Sequence, residues 1–170
     1  MADLHNVPIK CALCGGNIHG KHSTDHFFPR AIYKWAEEYL PKKEYNRLKN
    51  RICSKANLFP SHFRCNYEKN ESLQNIANLH TSQNKKNQLI SLQTKIHPYI
   101  QDYCKNKKML LKQQKNKCYG CGCELCNNGV LRRIDPEMPR TWENGCIVCP
   151  ECNEKEDSFF KKTQVKHKRT

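Results

Sequence analysis

The chain has 170 residues, of which 37% are hydrophobic and 27% charged, with a formal net charge of +14 and 12 cysteines. That length fits one domain or two small ones, and large aliphatics are too few for one large core, so small stapled modules are expected. No run of residues approaches the length of a membrane span, and Met1 to Lys10 lacks the apolar stretch of a secretory signal. A reducing cytoplasm is therefore expected, where Cys-x2-Cys pairs bind metal more often than they oxidise.

Residues 1–10 read as a short leader, and 1–69 as the first module. It carries Cys11-x2-Cys14, then Ser-Thr-Asp25-His26-Phe-Phe-Pro29. The spacing predicts a helix over Pro29–Leu40, with Pro29 at its first position and Ile32, Trp35, Ala36, Tyr39 and Leu40 on one face. Pro41 ends it. A second, more polar helix is expected over 42–52, with Tyr45, Leu48 and Ile52 inward. The module closes on Asn57, His62-x2-Cys65-Asn66 and Lys69.

Residues 70–117 read as a basic helical linker. Leu89, Leu92, Ile96, Tyr99, Ile100 and Tyr103 follow helical spacing, and Pro98 either kinks one helix or starts another. The lysines near its end form a solvated face. Residues 118–157 form a second module and 158–170 a basic tail. The charge is uneven: 1–69 holds 12 Lys/Arg against 6 Asp/Glu, 70–117 holds 9 against 2, and 118–170 holds 9 against 8. A basic surface favours nucleic acid, since each neutralised phosphate releases a counterion.

The two modules share one register. Cys11 precedes Asp25 by 14 residues, and Cys118 precedes Arg132 by 14. Asn57 precedes His62 and Cys65 by 5 and 8 residues, as Asn144 precedes Cys149 and Cys152. A Cys-x2-Cys knuckle with a second pair farther on makes a tetrahedral zinc site. The sets expected are Cys11, Cys14, His62 and Cys65, and Cys118, Cys121, Cys149 and Cys152. Cys123-x2-Cys126 and Cys146-x2-Cys149 leave a competing choice in the second. Cys53 and Cys104 have no partner by spacing.

Between the first ligand pairs lie residues for phosphodiester hydrolysis. His26 suits a general base, since its ordinary pKa lies near neutrality. Asp25 and Asn66 supply oxygens to one hard divalent cation, Mg²⁺ or Mn²⁺. Adjacent residues on a strand point to opposite faces, so both reaching one phosphate calls for a distorted backbone. His19 and His22 read as surface residues.

Asp-His-x-x-Pro, then Asn-Leu, then a ligand pair ending Cys-Asn-x-x-Lys resembles the HNH nuclease family, the zinc-ribbon branch of the ββα-metal fold. The resemblance covers residues 11–69, and His62 departs from the family's more usual Cys. It implies a small α+β, zinc-stapled protein: an N-terminal ββα-metal HNH module, a helical linker and a C-terminal HNH-like ribbon. It makes His26 the base, Asp25 and Asn66 the ligands of the catalytic metal, Asn57 a brace that orients the base, and Lys69 a phosphate contact. It implies an endonuclease that cuts DNA, leaving 5′-phosphate and 3′-hydroxyl ends; restriction, homing, anti-phage defence and phage packaging all stay open as its setting. The second copy is degenerate. Arg132 and Arg133 replace the Asp and the His, and Glu156 replaces the lysine. An arginine neither accepts a proton at neutral pH nor ligates a cation, but it binds phosphate well. One active copy per chain cuts one strand, so a double-strand break needs a homodimer or a partner protein. The competing expectation is a zinc-dependent nucleic-acid-binding protein without catalysis.

Overall fold

The computed structural model describes residues 8–125 and 129–155. Cys126, Glu156 and the basic tail lie outside the described residues. The fold is small α+β, with two separate two-stranded sheets, five α-helices and two short 3-10 helices among the described residues. No helix among them is long and apolar enough to cross a membrane.

Strand β1 (Ser23–His26) pairs antiparallel with β2 (Leu58–Ser61), with Asp25 opposite Phe59 and His26 opposite Leu58. In the second module β3 (Val130–Arg133) pairs with β4 (Gly145–Val148), with Arg132 opposite Cys146 and Arg133 opposite Gly145. The repeated sequence register is thus a repeated structure. Each first knuckle closes through the same bonds: Cys11 N to Gly16 O and Gly15 N to Cys11 O, matched by Cys118 N to Cys123 O and Gly122 N to Cys118 O. Gly15 and Gly122 hold φ of 75° and 77° at that turn, a region an L side chain rarely adopts.

A bracing asparagine repeats as well, buried in the first module and half-buried in the second. Asn57 accepts from Phe28 N at 2.8 Å and donates to Phe28 O at 3.0 Å and Ile52 O at 2.8 Å. Asn144 accepts from Asp135 N and donates to Asp135 O and Pro139 O, each at 2.9 Å. One amide thus satisfies three backbone groups in each connecting loop, where secondary structure offers none.

The first helix is shorter than its apolar spacing predicts. Regular α-helix is confined to α1 (Ala31–Lys34), and Ala36 N already bonds Tyr33 O in the tighter i−3 pattern. Ile32, Trp35 and Ala36 are buried as expected, but Tyr39 is exposed and its hydroxyl donates to Asp102 at 2.7 Å. Helix α2 (Lys42–Ile52) buries Tyr45, Leu48 and Ile52, matching the sequence pattern. Helix α3 (Phe63–Lys69) follows β2.

Residues Gln83–Gln113 form one continuous helix, α4, capped by the Ser82 hydroxyl on Lys85 N at 3.3 Å. Pro98 lies inside it, on the exposed face. Leu89, Leu92, Ile96, Ile100, Tyr103 and Leu110 are buried, and they share one hydrophobic cluster with Trp35 of the first module and Leu131 and Ile147 of the second. Trp35 stacks on Trp142, ring centroids 5.4 Å apart. Beside them Gly145 is closely packed: a Cβ there would lie 3.1 Å from Leu110, from Trp35 and from the Trp142 carbonyl, so a side chain would push these neighbours by a few tenths of an ångström. Glu71 ties the same parts together. Its carboxylate accepts from Leu131 N of β3 at 2.8 Å and from the Tyr103 hydroxyl at 3.2 Å, with the Lys107 ammonium 3.8 Å away. A short helix, α5 (Pro150–Asn153), closes the second module.

Because Ile147 is fully buried in the shared cluster, Ile147→Ala should lower stability by about 2–5 kcal/mol. Urea unfolding of the zinc-loaded protein, followed by tryptophan fluorescence and far-ultraviolet circular dichroism, should show one earlier transition in both signals. Two separated transitions would show that the modules do not share a core.

Candidate metal clusters and a basic cleft

In the first module the ligand atoms of Cys11, Cys14, His62 and Cys65 all lie within 4.8 Å of one another. The His62 tautomer follows from its partners. Nε2 is 3.2 Å from the Asn17 carbonyl, which only accepts, so Nε2 carries the hydrogen. Nδ1 is left with its lone pair facing Cys14 Sγ at 3.4 Å and Cys65 Sγ at 3.8 Å. A ligand histidine is usually oriented by a bond on its other nitrogen, as here. The His62 backbone N–H points at Cys11 Sγ, 3.4 Å away. Burial raises the Cys11 pKa, but backbone N–H groups from the knuckle and His62 outweigh it and bring the thiol down to about 7.

In the second module the thiols of Cys118, Cys121, Cys123 and Cys149 lie within 4.8 Å of one another. Cys121 and Cys149 are 3.8 Å apart, the roughly 3.8 Å that Zn–S bonds of about 2.3 Å impose in a tetrahedron. Cys149 N donates to Cys118 Sγ at 3.2 Å, repeating the His62–Cys11 bond. Cys123 thus joins Cys118, Cys121 and Cys149, a place the sequence register gives to Cys152. Cys152 is itself buried, and its thiol faces those of Cys118, Cys121 and Cys149. The N–H of Cys123 is the chief cause that holds the Cys121 thiol down at about 6. Cys146 lies outside the cluster, in the core, where burial pushes its thiol up to about 12. Cys53 and Cys104 are exposed and belong to neither cluster.

Between the modules opens a cleft of about 500 Å³. Asp25 and His26 of β1 and Asn66 of α3 line it, and so do Arg132 and Arg133 of β3 with Arg140 beyond them. Arg30, Lys34 and Glu71 complete its charged lining. Asp25 and His26 both line the cleft although they are neighbours on a regular strand. Burial, then Arg30 and Lys69, hold the His26 pKa below its usual value, which favours the neutral imidazole. Burial comes first for Lys34 too, and the nearby Arg30 and Arg140 press its pKa down further.

Lys69 is not a surface phosphate contact. It is 5% exposed, and its ammonium lies 3.1–3.2 Å from both Asp25 carboxylate oxygens, 2.8 Å from the His26 carbonyl and 3.4 Å from that of Asn70. Every donor it has is therefore taken within the fold. Burial raises the Asp25 pKa and Lys69 opposes it. The Asn66 amide nitrogen donates to Ser23 Oγ at 2.6 Å, which leaves its carbonyl oxygen for another partner. Arg132 donates to the Asn153 carbonyl at 2.8 Å and Arg133 to that of Met138 at 3.2 Å. Asn57 does not line the cleft; it braces Phe28, two residues beyond His26. His19 and His22 are exposed, as expected.

Arg140 and Glu71 went unread in the sequence, since neither stands in a motif. No family model, curated protein or solved structure matches the chain.

Removing Lys69 strands a buried carboxylate. Lys69→Met should cost about 3–5 kcal/mol, and the double variant Asp25→Asn/Lys69→Met should recover part of it. Denaturant unfolding of the three proteins checks this; a neutral Lys69→Met would contradict the buried pair.

Proposed function

We propose that the chain is a metal-dependent endonuclease of the HNH type that hydrolyses DNA phosphodiester bonds. The observation that carries the reading is the cleft, where Asp25, His26 and Asn66 meet three arginines from the other module. Hydrolysis needs a base for the attacking water and positive charge around the phosphorane. Neutral His26 accepts the water's proton at its imidazole nitrogen. Arg132, Arg133 and Arg140 receive the phosphate oxygens. Asn57 acts through the backbone at Phe28 and keeps His26 at the end of its strand.

The donor set fits a divalent cation with one reservation of charge. Asp25 and the Asn66 carbonyl are hard oxygen ligands, but Lys69 already neutralises the single carboxylate. Mg²⁺ or Mn²⁺ held there would stabilise charge on the phosphoryl and leaving oxygens, and substrate phosphate would complete its ligands. Two structural zinc ions suit the cysteine clusters. One cleft per chain implies nicking by a monomer and double-strand cleavage by a homodimer or with a partner protein.

The Lys69–Asp25 pair also favours a second reading, in which the chain binds nucleic acid through the arginine cleft without cutting it. Supercoiled plasmid with Mg²⁺ or Mn²⁺ separates the two. Wild type should nick or linearise it, and His26→Ala should be slower by about 10²–10⁴-fold at unchanged zinc content. Zinc-loaded wild type that binds the plasmid in a salt-dependent manner yet leaves it supercoiled would establish the second reading.

A further inference from the structure

Among the described residues, the second metal cluster has one thiol more than a tetrahedral zinc can use. Cys118, Cys121 and Cys149 face both Cys123 and Cys152. The shared register explains the surplus. Cys152 stands where Cys65 stands in the first module, eight residues after the bracing asparagine. Cys123 stands where Gly16 stands: Cys118 N bonds Cys123 O as Cys11 N bonds Gly16 O. The Gly16 position already faces the first cluster. A Cβ built there would lie 3.5 Å from Cys14 Sγ and 3.5 Å from the His62 ring, which is ordinary contact, and its φ is not in the left-handed region. A cysteine at this point of the knuckle therefore projects its sulfur into the metal site without strain.

We propose that the C-terminal centre is a five-thiol zinc site in which Cys123 and Cys152 are interchangeable fourth ligands, whereas the N-terminal centre has Cys65 alone. Cys118, Cys121 and Cys149 form the constant part. Cys123 is exposed and Cys152 is buried. Zinc can pass from one thiolate to the other without leaving the site, because three thiolates hold it throughout. The thiol left over remains uncoordinated. The inference does not depend on the nuclease reading, and its readouts are metal content and thiol protection.

The test uses the full chain, purified with zinc and analysed for metal by mass spectrometry. Wild type, Cys123→Ser and Cys152→Ser should each hold two zinc ions, one for each cluster. Cys65→Ser should fall to one, and Gly16→Cys in that background should restore the second. Loss of a zinc from either C-terminal single variant would overturn the interchange, and so would failure of Gly16→Cys to restore the first site. Iodoacetamide mapping of the folded, zinc-loaded single variants decides whether the remaining thiol ligates. Cys152 should be protected in Cys123→Ser, and Cys123 in Cys152→Ser. Alkylation of the remaining thiol in either protein while zinc stays bound would equally sink the proposal. The double variant Cys123→Ser/Cys152→Ser should lose the C-terminal zinc, and two zinc ions retained there would point to a different fourth ligand.

Discussion

Each sheet in this protein has two strands of four residues. A lone hairpin of that size is marginal in water. The shared core supports it from one side, and the ligand cluster joins the knuckle before the first strand to the start of the helix after the second. The backbone is already shaped for this. His62 N points at Cys11 Sγ and Cys149 N at Cys118 Sγ, so the turn leaving each hairpin bonds the first thiolate of its own knuckle. A metal ion held by either cluster would couple its binding to the folding of that module.

The bracing asparagine ties the connecting loop in each module. Asn57 and Asn144 each satisfy both backbone groups of one residue, Phe28 or Asp135, and a carbonyl farther along, at Ile52 or Pro139. The first module inserts α1 and α2 between these points and the second inserts a short turn, yet the bracket is unchanged. The insertion changes what the module can bury. Trp35 sits in the inserted stretch, and it stacks on Trp142 where the two modules meet. The two modules thus differ on the face through which they contact one another.

Much of this was legible in the sequence because it is periodic. The equal spacings from Cys11 to Asp25 and from Cys118 to Arg132 reappear as matching strand pairings, and α2 buries the three residues its pattern selects. The apolar stripe of α4 was legible too, but not what it covers: its six buried residues belong to a core drawn from both modules. Single residues with long-range partners were not legible. Lys69 resembles a phosphate contact by motif, yet it turns inward to Asp25, 44 residues away in the chain. Glu71 looks like any surface carboxylate and instead bonds Leu131, 60 residues on. Cys123 was hidden by its own spacing to Cys126, which obscured its equivalence to Gly16. Tyr39 fits the apolar face of a longer helix, but the tight turn after Lys34 swings it out to Asp102.

The charge of the cleft follows from this arrangement. Its lining holds Arg30, Lys34, Arg132, Arg133 and Arg140 against Asp25 and Glu71, so five cations face two carboxylates. Glu71 is occupied by Leu131, Tyr103 and Lys107, and Asp25 by Lys69. Burial is the first cause of the lowered pKa of Lys34, and the neighbouring Arg30 and Arg140 add to it. Cations gathered in a partly closed space repel one another, and a polyanion relieves the repulsion better than water does. A divalent cation would meet the same repulsion. On the nuclease proposed above, its entry would become favourable once a phosphate filled the space between β1 and β3, so substrate would come first and metal second, with Arg132, Arg133 and Arg140 of the second module preparing the site for Asp25, His26 and Asn66 of the first.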